Sequence, residues 1–198
     1  MVVPSPAPPD PAAAKQAMRR LLRGARRDYV ARLRLEEQAE FQSRLADVLL
    51  PELTRARVIA GYSPMGSEID PSMLLWHAGN AMITTAFPAF DLADSPMTFR
   101  SGQCAEDCPV GGVQPPAQAK LVDPDLILVP LLAVDRNGTR LGQGGGHYDR
   151  ALPALRAKGA RMIGIGWSMQ LLDTLLVADP WDVPLDAFAS PDGLVEFS

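Results

Sequence analysis

The alternation of apolar and polar positions along the chain predicts an α/β fold. Helical periodicity covers residues 11–50 in two segments, and short apolar runs at 58–62, 81–86, 126–129 and 162–166 predict strands. Further helical patterns lie at 71–78, 149–158 and 170–177. This alternation predicts a three-layer, mostly parallel sheet flanked by helices. In the first helical segment, we expect the inward face to carry Met18, Leu21, Leu22, Ala25 and Tyr29.

Length and composition favour one folded domain of soluble type. The chain has 198 residues, of which 47% are hydrophobic and 21% charged, and we expect a single domain over residues 12–198. Residues 1–11 are rich in Pro and Ala and have neither the basic residues nor the apolar stretch of a signal peptide, so we expect a disordered lead-in.

The net charge and the hydropathy of the chain argue against two classes of partner, nucleic acid and membranes. A net charge of −4 argues against a protein that holds nucleic acid by bulk electrostatics, and no apolar run approaches the roughly 20 residues of a membrane span. We expect small-molecule partners, no nucleic acid, no membrane, and a monomer or small homo-oligomer. Cys104 and Cys108 leave a disulfide open, but a reduced pair in a cytoplasmic protein is favoured over it, and one pair without nearby histidines does not make a zinc site.

Residues 142–147, here called the glycine loop, are the most informative segment. Four of their first five positions are glycine, and the loop precedes the helical pattern at 149–158. Main-chain N–H groups of such a loop, with the N-terminus of a following helix, form a cradle for phosphate. The sixth position is His147, so the loop is not a dinucleotide fingerprint, and no Gly-Lys-Ser/Thr of a Walker A motif occurs. A glycine-rich surface turn is the alternative.

Several motifs around this loop resemble one enzyme family. Val129-Pro130, Asp135, Gly138, Arg140-Leu141-Gly142 and the Gly-x-Tyr-Asp-Arg of residues 146–150 are similar to 5-formyltetrahydrofolate cyclo-ligase, also called 5,10-methenyltetrahydrofolate synthetase, and the resemblance extends from about residue 15 to about 186. It implies a fold similar to the sugar-phosphate isomerase and CoA-transferase-like group. It also implies ATP-dependent cyclisation of 5-formyltetrahydrofolate to 5,10-methenyltetrahydrofolate, with ATP as co-substrate and Mg²⁺ as metal.

The resemblance assigns the nucleotide site. Lys15 and Arg19 stand four residues apart on one helix face, with Arg23 continuing the stripe; a solvated basic face is the alternative. Within the family, a Lys-x-x-x-Arg pair at this position reaches ATP phosphates. The catalytic residues implied are Arg140, Gly144 and His147. The ATP-binding residues implied are Lys15, Arg19, Arg140, Leu141, Gly142, Gln143, Gly144, Gly145, Gly146, His147 and Tyr148.

The resemblance also assigns folate and metal residues. Glu68 follows the strand at 58–62 and matches the family's pterin-binding glutamate, although a surface glutamate before a helix is equally compatible with the sequence. The other substrate-binding residues implied are Gln143, Gly144, Gly145, Gly146, His147 and Gln170. Asp149 and Asp182 are implied as Mg²⁺ ligands; aspartates in turns or N-caps are the alternative.

The sequence departs from the family pattern at three informative positions. Trp181 stands where the family usually has a histidine. Asn80 and Ala89 stand where the family frequently has basic residues. A non-catalytic nucleotide- or folate-binding regulator on the same fold is therefore the alternative function. A sugar-phosphate isomerase or CoA-transferase relative would need a catalytic carboxylate or lysine facing its substrate, and no such arrangement surrounds the glycine loop.

Overall fold

The computed structural model describes residues 11–197, so the prediction of a disordered lead-in falls outside this range except at Pro11, the first residue of a helix. The helices are α1 (Pro11–Val30), α2 (Leu35–Leu49), α3 (Ser72–Asn80) and α4 (His147–Ala157), with 3₁₀ turns at Leu50–Arg55 and Ser168–Gln170. The strands are β1 (Val58–Ala60), β2 (Thr84–Ala89), β3 (Thr98–Ser101), β4 (Glu106–Asp107), β5 (Val113–Gln114), β6 (Leu126–Pro130), β7 (Ala133–Asp135), β8 (Arg140–Leu141), β9 (Arg161–Ile165), β10 (Leu171–Leu172), β11 (Ala187–Ser190) and β12 (Gly193–Glu196).

A seven-stranded sheet in the order β12-β11-β9-β6-β1-β2-β3 forms the centre. Its five inner strands are parallel, whereas β12 and β3 pair antiparallel at the two edges. Parallel strands end at one common edge, where loops from several strands meet. The predicted mostly parallel α/β sheet is therefore confirmed.

A separate hydrophobic core covers each of the two faces of the sheet. Leu126 and Leu128 of β6 pack in the core that α2 and α3 cover, whereas Ile127 and Val129 point to the opposite core, which α4 covers. The alternation of side chains along a strand sends neighbours to opposite faces, so a strand covered by helices on both sides must be apolar throughout. The three-layer arrangement thus accounts for the unbroken apolar run at this strand.

A small hairpin separates β6 from the glycine loop. Strands β7 and β8 pair antiparallel across a turn in which Asp135 Oδ1 accepts hydrogen bonds from the N–H groups of Asn137 and Thr139, and Gly138 has a φ of +77°. Asp135 and Gly138, two residues that carry the family resemblance, thus shape this turn. The hairpin itself was not expected, because the sequence alone led from the buried strand directly to the loop.

One predicted helix is absent, and a predicted strand and a predicted helix begin at other residues than expected. Residues 170–177 do not form a helix, because Leu171–Leu172 pair with β7 in parallel and the N–H of Leu176 donates to Asp135 Oδ2. The strand predicted at 81–86 begins at Thr84, since Ala81 and Met82 still bond back to the end of α3. The helix predicted from Asp149 begins at His147.

The face of α1 was also predicted wrongly. Leu21 is 69% exposed and Met18 is exposed as well, whereas Arg26, on the other side of the helix, is 3% exposed. Leu22, Ala25 and Tyr29 are half-buried. Helix α1 therefore turns much of its basic stripe, and not its full apolar set, toward the rest of the protein. No helix within residues 11–197 is long and apolar enough to cross a bilayer.

Candidate active site

A cleft opens where the carboxyl ends of β1, β2 and β6 meet the glycine loop and α1. The cleft holds a cavity of about 200 Å³ that opens to solvent at its mouth. The predicted residues that line it are Lys15, Arg19, Glu68, Arg140, Leu141, Gly142, Gln143, Gly144, Gly145, Gly146, His147, Tyr148, Asp149 and Asp182. Residues far apart in sequence are thus brought to one wall, and Gln170 is the predicted site residue outside it.

The glycine loop presents unpaired main-chain N–H groups at this wall. Gly144 and Gly146 have φ values of +105° and +67°, which L side chains rarely adopt. The carbonyls of Gly142 and Gly145 accept hydrogen bonds from Arg19 and Arg150. The N–H groups of residues 142–146, by contrast, donate to no other residue within 11–197. The loop therefore offers a row of donors beside the N-terminus of α4, which suits an anion.

Helix α1 forms the adjoining wall with side-chain cations. Arg19 Nε donates to the Gly142 carbonyl at 3.1 Å, and Arg23 donates to Gln143 Oε1 at 3.0 and 3.1 Å. Lys15 Nζ lies 2.5 Å from Asp179 Oδ2 and 3.7 Å from Asp182 Oδ2. Each of these cations is held by a protein oxygen. Arg19 and Arg23 thereby fix α1 against the glycine loop.

Glu68 is a buried carboxylate whose partners come from three segments. Its oxygens accept hydrogen bonds from the Met65 N–H at 3.0 Å and from Gln143 Nε2 at 3.0 Å. Arg26 Nη1 lies 3.7 Å away, and the two charged side chains are only 5% and 4% exposed. Arg26 also donates to the Leu131 carbonyl and to Ser67. The alternative of a free surface glutamate is excluded by this burial.

Arg140 and Tyr148 meet at the start of α4. Arg140 Nη2 donates to Asp149, and the guanidinium lies 5.6 Å from the centre of the Tyr148 ring. Arg140 Nε and Tyr148 Oη are buried without a hydrogen-bond partner among the described residues. Burial raises the pKa of Tyr148, which remains a neutral hydroxyl at physiological pH. Buried polar atoms without partners are uncommon in proteins and indicate a role for something outside the chain.

His147 lies at the first position of α4 and is neutral near pH 7. Burial, and secondly the charge of Arg150, lower the pKa of this imidazole. Arg150 Nη2 lies 3.0 Å from His147 Nδ1, and a guanidinium can only donate, so Nδ1 accepts and the ring proton sits on Nε2. The ring packs edge-on against Phe90 at 4.8 Å. His147 therefore offers the cleft one neutral N–H donor.

The predicted metal ligands lie at the cleft but do not form a preassembled cage. Asp149 pairs with Arg140, and Asp182 Oδ2 accepts from the Asp179 N–H at 2.8 Å while facing Lys15. Within the described residues, no group of three or more His, Cys, Asp or Glu side chains is close enough to hold a metal ion. Asp149 and Asp182 are thus two separate carboxylates at the cleft, each with a cation beside it.

Gln170 has a structural position. It is 2% exposed; its Nε2 donates to the carbonyls of Leu131 and Leu132, and its Oε1 accepts from the Trp167 N–H. The side chain is saturated by main-chain groups behind the cleft. Its geometry gives no surface for the substrate contact predicted from the sequence.

Sequence reasoning missed several residues of the site. Arg26 follows Lys15, Arg19 and Arg23 at helical spacing, so extending that stripe by three residues would have found it. Asp179 left no such signal, because only the folded chain brings it to Lys15. Other cleft residues that were not predicted are Tyr62, Met65, Phe90, Cys108 and Trp181. Cys104 and Cys108 do not form a disulfide, and burial, followed by the neighbouring Cys108, raises the pKa of the Cys104 thiol to about 11.

Comparison with known sequences identifies relatives along most of the chain. The profile of the 5-formyltetrahydrofolate cyclo-ligase family matches residues 11–191. The 5-formyltetrahydrofolate cyclo-ligase of Escherichia coli K12 is 27% identical over 174 residues, which cover 82% of this chain and 94% of that protein. The cyclo-ligase of Mycolicibacterium smegmatis is 33% identical over 145 residues, covering 68% and 74%.

Solved structures agree with these sequence matches. A 5,10-methenyltetrahydrofolate synthetase from Mycoplasma pneumoniae superposes with a TM-score of 0.67 at 27% identity, covering 89% of this chain and 98% of that one. The synthetase from Aquifex aeolicus has the same fold, with a TM-score of 0.76 at 24% identity and 92% coverage of both chains. With its cleft, its glycine loop and a profile match over nearly its whole length, the chain belongs to the 5-formyltetrahydrofolate cyclo-ligase family.

Proposed function

We propose that this protein converts 5-formyltetrahydrofolate to 5,10-methenyltetrahydrofolate in the cytoplasm, using ATP and releasing ADP and phosphate. The observation that carries the proposal is the placement of two unlike groups in one cleft. A row of unpaired main-chain N–H groups at residues 142–146 suits phosphates, and the buried carboxylate of Glu68 suits a neutral ring with N–H donors.

The chemistry explains why the site needs no nucleophilic side chain. The formyl oxygen is a poor leaving group, so N10 cannot expel it directly. Attack of that oxygen on the γ-phosphorus of ATP forms an O–P bond and releases ADP. N10 then bonds to the formyl carbon, the C–O bond breaks, and phosphate and the N10 proton leave. Such a sequence depends on aligning the reactants and neutralising phosphate charge.

Phosphate binding is assigned to the glycine loop and the cations around it. The loop N–H groups and the α4 N-terminus hold the transferring phosphate, with Gly144 at the centre of the row. Arg140, Lys15 and Arg19 offset the charge of the triphosphate. Because Lys15 and Arg19 are held by Asp179 and Gly142, binding exchanges protein oxygens for phosphate oxygens.

Two side chains act on the reacting group in this proposal. The Nε2–H of neutral His147 donates to an oxygen of the transferring phosphate, while Nδ1 stays on Arg150. Arg140 is buried beside the loop with one unpaired N–H, which suits a contact to the same phosphate. Both groups stabilise charge as it moves from ATP to the formyl oxygen.

Folate recognition is assigned to Glu68 and the loop above it. A carboxylate accepts two hydrogen bonds from adjacent N–H donors of a pterin. Arg26 and the Met65 N–H hold this carboxylate in place, and Gln143 links it to the glycine loop at 3.0 Å. Glu68 thus sets the ring in register with the phosphate site.

Mg²⁺ fits this donor set as a partly hydrated ion. It binds proteins through one or two carboxylates and takes its remaining ligands from phosphate oxygens and water. Asp149 and Asp182 both line the cleft and are the residues that would hold it. When bound, Mg²⁺ neutralises charge on the phosphate oxygens of ATP.

Incubation of the purified protein with ATP, Mg²⁺ and 5-formyltetrahydrofolate tests the proposal. We expect a rise in near-ultraviolet absorbance from the methenyl product, with one ADP and one phosphate released per product. ATP and folate binding without any absorbance rise would contradict the proposal and indicate a regulator instead.

A further inference from the structure

The Tyr148 hydroxyl is the unexplained polar atom of the cleft. It is buried, has no hydrogen-bond partner among the described residues, and belongs to a residue that lines the cleft. A buried hydroxyl without a partner costs free energy, which a ligand that accepts its hydrogen bond would recover. Nothing in the phosphate chemistry described above uses this atom.

The surroundings of the hydroxyl point to the pterin end of the site. Tyr62, Glu68 and Tyr148 all line this cleft. Tyr62 Oη already donates to the Ile69 carbonyl at 2.7 Å. Of the two buried tyrosine hydroxyls in the described cleft, Tyr148 Oη is therefore the one without a partner.

We infer that Tyr148 Oη donates a hydrogen bond to the C4 carbonyl oxygen of the pterin whose neighbouring N–H groups Glu68 accepts. The inference rests on the proposed function. On one edge of a pterin the 2-amino group, N3–H and C4 carbonyl follow one another, as two donors and one acceptor. A carboxylate followed by a hydroxyl donor is the matching sequence on the protein.

The ring of Tyr148 is held in a way that supports this role. The Arg140 guanidinium lies over it at 5.6 Å, and Arg140 is itself fixed by Asp149. The main-chain N–H of Tyr148, in the first turn of α4, belongs to the phosphate cradle. One residue thus serves two ligands, with its main chain on the nucleotide and its side chain on the pterin.

The substitution Tyr148→Phe tests the inference by binding alone. We expect the Kd of a 2-amino-4-oxopteridine, measured by fluorescence quenching, to rise about tenfold or more because one buried hydrogen bond is lost. The Kd of ATP should stay within twofold. The melting temperature without ligand should be unchanged or higher, since an unpaired buried hydroxyl is removed.

The 4-thioxo analogue of the same pteridine sharpens the result, because sulfur is a weaker acceptor than oxygen while N3 keeps its hydrogen. The wild type should bind the oxo compound about tenfold more tightly, and Tyr148→Phe should reduce this preference to within threefold. Tyr62→Phe is the matched control: it should lower the melting temperature but keep the preference.

The outcomes separate this inference from the proposed function. An unchanged oxo-to-thioxo preference in Tyr148→Phe, with pteridine still bound, overturns the inference alone. A raised Kd for ATP with an unchanged Kd for pteridine also overturns it, by placing the hydroxyl on the nucleotide. Absence of any pteridine binding by the wild type overturns the proposed function as well.

Discussion

The two walls of the cleft offer different kinds of hydrogen-bond donors to a ligand. The glycine loop contributes main-chain N–H groups that have no partner within residues 11–197, whereas Lys15, Arg19 and Arg23 of α1 contribute cations that protein oxygens hold. The loop is local in sequence, since one stretch of six residues sets its shape. The α1 wall is assembled from contacts that span more than 100 positions.

Because of this difference, we expect mutations in the two walls to affect different properties of the protein. A main-chain donor cannot be removed by truncating a side chain, so the loop is damaged only by adding a side chain that forbids its φ values. The α1 wall is damaged by removing cations, above all Arg26, because its partners Glu68 and the Leu131 carbonyl are left buried. We therefore expect loop changes to affect catalysis and α1 changes to affect both binding and stability.

The largest expected effect is on stability, from Arg26→Ala in the α1 wall. The substitution leaves Glu68 buried without its cation and the Leu131 carbonyl without its donor. We expect the free energy of unfolding, measured in urea, to fall by about 3 kcal/mol or more. Arg20→Ala on the exposed side of α1 is the control and should change it by less than about 0.5 kcal/mol. Equal losses would remove the distinction between the two faces of α1.

The next effect is catalytic, from Gly144→Ala in the loop. A φ of +105° is strained for alanine by about 1–3 kcal/mol, so the loop should relax and misplace its N–H groups. We expect kcat/KM to fall roughly 50-fold with the protein still folded. Gly24→Ala in α1 is the matched control: no atom lies within 4 Å of the added Cβ, and it should stabilise the protein by about 1 kcal/mol. Full activity in Gly144→Ala would contradict the role of the loop.

Two smaller effects should show that ATP and the folate depend on different side chains. Arg140→Ala should raise the Kd of ATP by about tenfold, the loss of a charged hydrogen bond, and Glu68→Gln should raise the Kd of the folate similarly. Calorimetric titration of each variant with each ligand measures both. Each variant should bind the other ligand within about threefold of wild type. Equal loss of both ligands in Glu68→Gln would contradict the division.

The smallest effect concerns pH and His147. Its pKa lies below 6.5 in the folded protein because of burial and then Arg150, so the unfolded chain takes up the proton first as pH falls. Stability should therefore decline as pH drops below about 6.5 toward the folded pKa, and His147→Asn should flatten this decline. Urea unfolding at pH 5.5 to 7.5 measures it. An identical decline in the variant would show that other groups cause it.

Much of the fold could be predicted because its physical cause is local. The run Leu126–Pro130 is apolar throughout since both sheet faces are covered, and that pattern alone indicated a buried parallel strand. The density of glycines before α4 likewise indicated a cradle, because only glycine tolerates the φ values of residues 144 and 146. The family resemblance added the residues that the pattern could not name, such as Glu68.

Other elements could not be predicted because their cause lies elsewhere in the chain. Residues 170–177 have a helical pattern, but Leu171–Leu172 pair with β7 instead, and Asp135 accepts a hydrogen bond from the Leu176 N–H. The buried face of α1 was assigned to its apolar residues, yet Arg26 is buried because Glu68 and the Leu131 carbonyl meet it there. The apolar face of a helix is the buried face only where its partner is apolar. The part of α1 around Arg26 instead meets polar groups.

The sequence by itself determined the α/β class, the glycine loop and the family, because periodicity, positive φ and short motifs are encoded within a few neighbouring residues. Only the tertiary structure decided which face of α1 is buried, that Gln170 bonds to the main chain behind the cleft, and that the buried Tyr148 hydroxyl has no partner within residues 11–197. The physical reason is the same in each case. Whether a polar side chain is exposed, paired or free depends on which distant groups the folded chain brings within hydrogen-bond distance.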